Sequence, residues 1–218
     1  MLQFTAALFD FDGTLIDSAS TIMASIQTTL THFGRAPFSE AQLRACVGPP
    51  IHHYFQEMLG FREEELDSAL AVYRHAFDEH AVTMLRPFAG AKELLRDVQA
   101  KGVRVGVASC KMQSLCIKQA AQFGFTPYID FIGGSIPEEN LYEKSDIIRH
   151  ALSALQAAPT DAVMIGDRMY DLIGANEAGV RGIGVLYGGC GTREELEAHN
   201  PLYIAEDINA LRALLLPS

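Results

Sequence analysis

Short apolar runs that end in small or acidic residues recur along the chain. Four are pronounced and two, near residues 128 and 202, are weaker; in chain order they are Ala6–Phe9, Val103–Ala108, Tyr128–Ile132, Ala162–Ile165, Gly182–Leu186 and Leu202–Ile204. Apolar runs of this length are typical of strands buried on both faces of a parallel sheet. Helical spacing of apolar positions lies between them, for example at residues 91–98. The alternation predicts an α/β fold with a doubly wound, Rossmann-like parallel sheet.

A second helical stripe in this half of the chain runs from Ile147 to Leu155. Ser145 stands two residues before the first isoleucine of that stripe. Because a serine side chain can accept a hydrogen bond from a free backbone N–H at a helix start, Ser145 is the predicted N-cap.

The segment 18–84 differs, because it follows the first strand without offering a second one. Its helical patterns cover Ser18–Phe33, Ser39–Cys46, Pro50–Leu59 and Glu63–His80, with Gly48-Pro49-Pro50 as a turn. The sequence therefore predicts a core of residues 1–17 and 85–218 and an inserted all-helical cap of residues 18–84. An insertion after a strand lies over the edge where α/β sheets bind ligands, which favours a lid.

Composition narrows the class of partner and the compartment. The 218 residues carry 27 acids and 17 bases, a net charge of −10, which disfavours nucleic-acid polymers and acidic membranes. The four cysteines lack metal-finger spacing and are typical of free thiols in a reducing cytoplasm. The apolar start is interrupted by Asp10 and Asp12, and no run of 18 apolar residues follows. We expect a cytoplasmic protein without a signal peptide or membrane span, as a monomer or weak homodimer.

The sharpest chemical signal is Asp10-Phe11-Asp12-Gly13-Thr14, directly after the first strand. Paired carboxylates favour a hard divalent cation, and Gly13 lets a backbone amide approach an anion closely. The alternative is a polar turn that only closes the strand.

Two other strand ends carry polar groups. Ser109 can donate to a phosphate oxygen or cap the next helix, and Asp167 and Asp171 bracket a turn into another helix, where an acid can also serve as a cap. Lys144 lies just before the helix predicted for residues 145–157, and a lysine in such a place is usually a solvated charge. The carboxyl ends of parallel strands share one edge, so we expect these groups to meet there.

Together these residues resemble the four motifs of the haloacid dehalogenase superfamily, in order and spacing. The motifs are DFDGT at residues 10–14, Ser109, Lys144 and GDRMYD at residues 166–171. The helical insertion resembles the cap of the phosphoglycolate-phosphatase-like branch. Within that branch, Gly48-Pro49-Pro50, Gly133-Gly134-Ser135, GDRMYD and Gly184-Val185-Leu186-Tyr187-Gly188 look most like 5′-nucleotidase-like members.

The resemblance implies a magnesium-dependent phosphomonoester hydrolase acting on a small phosphorylated metabolite, either phosphoglycolate or a nucleoside monophosphate. Asp10 would form an aspartyl-phosphate, and Asp12 would act as general acid and base. The implied Mg²⁺ ligands are Asp10, Asp12 through its backbone carbonyl, Asp167 and Asp171, the last directly or through water. The implied phosphate-binding residues are Gly13, Thr14, Ser109, Cys110 and Lys144.

The sequence leaves two other functions open. A phosphosugar mutase resembling β-phosphoglucomutase is one, although such mutases often carry a cap histidine where this chain has Ile22. A non-enzymatic phosphate-binding scaffold is another. The adjacent His52 and His53 would point about 100° apart on a helix, a poor chelating geometry. Contact of these histidines or of the 48–50 turn with substrate, and a redox role for Cys110, are also open.

Overall fold

The computed structural model describes residues 4–49 and 51–216, without the side chain of His52. The strands are β1 (Ala6–Phe9), β2 (Ile16–Asp17), β3 (Arg86–Pro87), β4 (Arg104–Met112), β5 (Phe131–Ser135), β6 (Ala162–Gly166), β7 (Arg181–Val185) and β8 (Tyr203–Ala205). The α-helices are α1 (Ala19–His32), α2 (Glu40–Ala45), α3 (Ile51–His53), α4 (Glu63–Met84), α5 (Ala91–Ala100), α6 (Gln113–Gln122), α7 (Lys144–Leu155), α8 (Met169–Glu177), α9 (Arg193–Glu197) and α10 (Ile208–Leu215).

Six parallel strands form the main sheet, in the order β5-β4-β1-β6-β7-β8. The chain builds outward from β1 through β4 to β5, then crosses back to β6 and builds the other half. This reversal puts the topological switch point beside β1, where sheets of this kind bind ligands at their carboxyl edge. The predicted Rossmann-like α/β fold is confirmed.

Alternate residues of β1 belong to two different cores, as the two-residue period of a strand requires. Ala7 and Phe9 pack in a cluster with α5, α6 and the helices before β3. Ala6 and Leu8 pack in a second cluster with α7 and α8. All four side chains are fully buried, which explains why the strand reads as an unbroken apolar run.

The segment between β2 and β3 is helical, and those two short strands pair antiparallel with each other. The chain therefore leaves the sheet and returns to it at neighbouring points. Helix α1 packs along α4, which runs four residues beyond the predicted end at His80. The predicted helix 50–59 is split into α3 and a π-helical turn at Tyr54–Met58. Pro50 lies outside the described residues.

The prediction that Ser145 caps a helix was wrong. Helix α7 begins one residue earlier, at Lys144, and its N-cap is Glu143, whose backbone is extended. Ser145 instead lies inside the first turn, where its hydroxyl accepts a hydrogen bond from Arg149 Nη1 at 3.3 Å. The earlier start makes Lys144 part of a rigid helix. None of the helices in the described ranges combines the length and the apolar character needed to cross a bilayer.

Candidate active site

Three buried carboxylates meet at the carboxyl edge of the sheet, next to the switch point. Asp10 follows β1, Asp167 follows β6, and Asp171 lies in the first turn of α8. One oxygen from each carboxylate lies within 4.8 Å of the others. Their relative exposures are 8%, 2% and 2%. Because β1 and β6 are paired neighbours, residues far apart in sequence are brought together by the register of the sheet.

Lys144 supplies the positive charge that touches this cluster. Its Nζ lies 2.7 Å from Asp10 Oδ1 and 2.6 Å from Asp171 Oδ1. The lysine is only 7% exposed, and its stem lies against Gly174 of α8 so closely that a Cβ at Gly174 would collide with it. The expectation that a lysine in this place is a solvated surface charge is therefore wrong for Lys144.

The single charge of Lys144 does not balance three buried carboxylates. The pKa values of Asp10, Asp167 and Lys144 are shifted accordingly. Burial raises the pKa of Asp10 to about 6; Lys144 opposes the rise and Asp171 adds to it. Burial also raises the pKa of Asp167 well above its usual range, with the charges of Asp171 and Asp10 adding to the effect. For Lys144, burial acts to lower the pKa, but Asp10 and Asp171 outweigh it and the pKa is raised.

The donor set at this cluster fits a hard divalent cation. Asp167 Oδ2 is buried and has no hydrogen-bond partner among the described residues. In contrast, Asp171 is fully engaged, because Oδ1 contacts Lys144 and Oδ2 accepts the backbone N–H of Arg168 at 3.0 Å. Carboxylate oxygens are the ligands that Mg²⁺ prefers. Asp10 and Asp167 are therefore the side chains with oxygen atoms best placed to take an ion, with Asp171 beside them.

Gly13 explains how Asp167 can lie so close to the first motif. Gly13 has φ +79°, and any Cβ there would overlap the carboxylate of Asp167. Its N–H donates to Ile16 O at 2.8 Å within the loop. Thr14 is fully buried, and its Oγ1 has no hydrogen-bond partner within the described chain. The motif is thus a tightly packed turn as well as a source of acids.

The carboxylate of Asp12 is paired with a different lysine from the carboxylate of Asp10. Both of its carboxylate oxygens accept hydrogen bonds from Lys111 Nζ, at 3.0 and 3.1 Å. The sequence analysis gave Lys111 no role, yet a signal was present. Ser109 and Lys111 are two residues apart on β4, which continues to Met112, and both line the same cavity. For the same reason Ser109 is not a helix N-cap: α6 begins only at Gln113.

A cavity of about 300 Å³ lies between this edge of the sheet and the helical segment. Asp10 and Asp12 of the first motif line this cavity, and so do Ser109, Cys110 and Lys111 of β4. Burial raises the pKa of the Cys110 thiol to about 12, so this cysteine stays protonated at neutral pH. Of the other predicted phosphate-binding residues, the described lining does not include Gly13, Thr14 or Lys144.

The helical segment contributes the opposite wall. Gly48 and Pro49 line the cavity, and Gly48, at φ +113°, packs against the side chain of Arg168. His53 is exposed and 3.9 Å from Glu57, away from the described lining. The side chain of His52, like Pro50, lies outside what the structure describes.

The doubly wound sheet and the acidic cluster at its carboxyl edge define an α/β protein with a candidate metal-binding active site. The family model for haloacid dehalogenase-like hydrolases matches residues 7–185, so the chain belongs to that family. Over nearly its full length, the chain is similar to proteins that are named 5′-nucleotidase or pyrophosphatase. A 5′-nucleotidase of Pseudomonas aeruginosa is 36% identical over 214 residues, covering 98% of this chain and 96% of the relative.

Two further comparisons agree with membership of the haloacid dehalogenase-like hydrolase family. Pyrophosphatase PpaX of Bacillus velezensis is 28% identical over 209 residues, covering 96% of this chain and 95% of the relative. The crystal structure of a protein described as a predicted phosphatase from Clostridium acetobutylicum superposes with a TM-score of 0.91 at 34% identity, covering 99% of this chain and all of that one. The resemblance drawn from the motifs is confirmed, and the chain is a phosphatase of this family.

Proposed function

We propose that the protein is a magnesium-dependent phosphomonoester hydrolase that acts through an aspartyl-phosphate on Asp10. Its substrate is a small phosphorylated metabolite, of the phosphoglycolate or the nucleoside monophosphate type. The observation that carries the proposal is the position of Asp10, which lines the cavity and also belongs to the buried cluster with Asp167 and Lys144. A substrate in the cavity can thus reach the same carboxylate that the cluster orients.

Magnesium would be held by the carboxylates of Asp10 and Asp167 and by the backbone carbonyl of Asp12, with Asp171 supporting the ligand shell. Two unit charges 4 Å apart interact by about 4 kcal/mol at an effective dielectric constant of 20. A phosphate dianion approaching several carboxylates would meet several repulsions of that size. The bound ion supplies positive charge that, with Lys144, offsets the carboxylates and the incoming phosphate.

The chemistry then divides between two carboxylates. Asp10 attacks phosphorus, and the bond to the leaving oxygen breaks while Asp12 gives that oxygen a proton. Asp12 then accepts a proton from the water that hydrolyses the aspartyl-phosphate, which returns both residues to their starting states. Ser109 and Lys144 bind the transferring phosphoryl group, assisted by the backbone N–H groups of Thr14 and Cys110, while the Gly13 N–H stays bonded to Ile16 O.

The helical residues 18–84 act in this proposal as a cap over a catalytic core of residues 1–17 and 85–218. The position of the cavity supports that division, since its lining comes from both parts. We also propose a cytoplasmic enzyme, a monomer or weak homodimer without nucleic-acid or membrane partners. The four unpaired cysteines and the net charge of −10 support this proposal.

Hydrolysis is favoured over mutase chemistry by one residue of the cavity wall. Ile22, which stands where related sugar-phosphate mutases often carry a histidine, lines the cavity with an apolar side chain that cannot transfer a proton. The test is release of phosphate from 4-nitrophenyl phosphate with Mg²⁺ and with a chelator. Asp10→Asn should be inactive while still unfolding cooperatively as a folded protein, whereas the exposed control Asp67→Asn should retain full activity. Metal-independent activity, or more than about a tenth of the wild-type rate in Asp10→Asn, would contradict the proposal.

A further inference from the structure

The wall of the cavity beyond the acids is mainly apolar. Its side chains come from α1, α3, α4, β4 and α6, and they are Ile22, Ile51, Phe77, Met112 and Leu115. Walls of this kind bind the carbon body of a ligand, and a few placed polar groups then decide which ligand is accepted. The identity of those polar groups therefore bears on the substrate.

The charged side chains of the described lining leave little for a second anion on the substrate. Lys111 is 8% exposed in its side chain and is already bonded to both oxygens of Asp12. Arg74 is exposed on α4, one helical turn from Asp78, which also lines the cavity. An anionic leaving group would have to break the Lys111 pair or bind at the exposed rim, where solvent screens the charge.

Two tyrosines supply uncharged hydrogen-bonding groups on the same wall. Tyr54 and Tyr73 both line the cavity and are only 3% and 8% exposed. Both rings pack on Phe55, with ring centres 5.1 and 5.5 Å away. Burial, and to a lesser extent the charge of Asp12, raises the pKa of both phenols. Both hydroxyls therefore stay neutral, on rings that packing against Phe55 holds in place.

A phenol hydroxyl can donate one hydrogen bond and also accept. The two hydroxyls on the cavity wall can therefore offer a ligand both donors and acceptors. A ligand hydroxyl, carbonyl or ring nitrogen could satisfy these groups without bringing a charge into the apolar wall. A charged group in the same place would lose its hydration without a counter-ion.

We propose that Tyr54 and Tyr73 are specificity-determining residues, and that they select phosphate monoesters of an uncharged, ring-bearing alcohol with a hydrogen-bonding group. This inference rests on the proposed function. A nucleoside has this chemistry, whereas glycolate and inorganic phosphate, as leaving groups, carry a second charge. The proposed substrates are thereby narrowed to phosphate monoesters whose alcohol part carries no charge.

Three synthetic esters with the same leaving oxygen test the inference. They are benzyl phosphate, 3-(hydroxymethyl)benzyl phosphate and 3-carboxybenzyl phosphate, assayed with Mg²⁺. In the wild type we expect the hydroxymethyl ester to exceed the carboxylate ester in kcat/KM by about tenfold or more. In Tyr54→Phe and Tyr73→Phe the advantage of the hydroxymethyl ester over benzyl phosphate should fall to about onefold, mainly through KM, with benzyl phosphate itself little changed.

The matched control is Tyr203→Phe, which removes a hydroxyl from a tyrosine that is 46% exposed on β8. It should leave all three rates unchanged. A carboxylate ester hydrolysed as well as the hydroxymethyl ester would overturn the inference while leaving the proposed function standing. So would a loss in the phenylalanine variants that is equal for all three esters, since that indicates a structural role. Failure of magnesium to support hydrolysis of any ester would overturn the proposed function and the inference with it.

Discussion

Lys111 binds both carboxylate oxygens of Asp12, at 3.0 and 3.1 Å, and its Nζ also lies 4.7 Å from the ring centre of Phe77 in α4. The proposed acid is thus tied through one ammonium group to the wall formed by the helical segment. A substrate that enters between the two must do so alongside this contact. Lys111 therefore positions Asp12 and links its orientation to the helical wall.

Replacing Lys111 with methionine should lower kcat by about tenfold or more, because Asp12 loses the contact that fixes its carboxylate. The loss should be greater for benzyl phosphate than for 4-nitrophenyl phosphate, whose leaving oxygen needs less protonation. Lys111→Arg, which keeps a cation that can bind both oxygens, should recover part of the rate. Steady-state kinetics on the two esters measure the difference.

The control for this variant is Lys118→Met, in α6, the helix that follows β4. Lys118 is exposed, and its contact with Asp78 is long, at 3.7 Å, so the substitution should have little effect. An equal loss on both esters in Lys111→Met would assign the lysine to binding of the phosphoryl group and not to positioning of the acid.

Gly13 and Gly102 allow a test of the close packing against Asp167. Both glycines have φ +79°, so an alanine is strained at either position. A Cβ at Gly13 would overlap the Asp167 carboxylate, whereas nothing lies within 4 Å of one at Gly102. Gly102→Ala should cost about 1 kcal/mol of unfolding free energy and leave activity intact. Gly13→Ala should cost more and remove most of the activity.

Urea unfolding and the rate with 4-nitrophenyl phosphate give both quantities. Equal stability and equal activity for the two variants would mean that Asp167 does not need its observed position against the first motif.

Asp10 should make the metal-free protein less stable as the pH rises. Its pKa is about 6 in the folded protein against 3.8 as a free side chain, so between these values the folded state binds more protons than the unfolded state. Stability linked to Asp10 is therefore greatest below the lower value and falls as the pH rises through the higher one. The unfolding free energy of the wild type minus that of Asp10→Asn should fall by on the order of 3 kcal/mol between about pH 4 and about pH 7.

Denaturant unfolding in a chelator measures this difference, and addition of Mg²⁺ should reduce the fall because the ion offsets the buried charge. A difference that stays constant or grows with pH would show that Lys144 compensates Asp10 completely.

The sequence predicted β1, β6 and the acids that follow them well, because a buried parallel strand leaves an unbroken apolar run. It ended β4 at Ala108, although that strand continues to Met112, and it placed β5 three residues too early. It could not predict the partner of each acid. Lys111 lies 99 positions from Asp12, and their pairing depends on β4 lying beside β1 and continuing past Ala108.

The same limit applies to the helical segment. The shared contact of Tyr54 and Tyr73 with Phe55 depends on how the π-helical turn and α4 pack together. The helical periodicity of each segment indicates which face is buried, but it does not indicate which side chain of another helix that face will meet.

The central claim is that Asp10 carries the phosphoryl group during turnover. Mass spectrometry of protein acid-quenched during turnover of 4-nitrophenyl phosphate with Mg²⁺ tests this directly. We predict a peptide containing Asp10 that is heavier by one phosphoryl group, absent when the metal is chelated and absent in Asp10→Asn. A phosphoryl group on another residue, or turnover by the wild type with no phosphorylated protein under conditions where hydrolysis of the intermediate is slowed, would contradict the account.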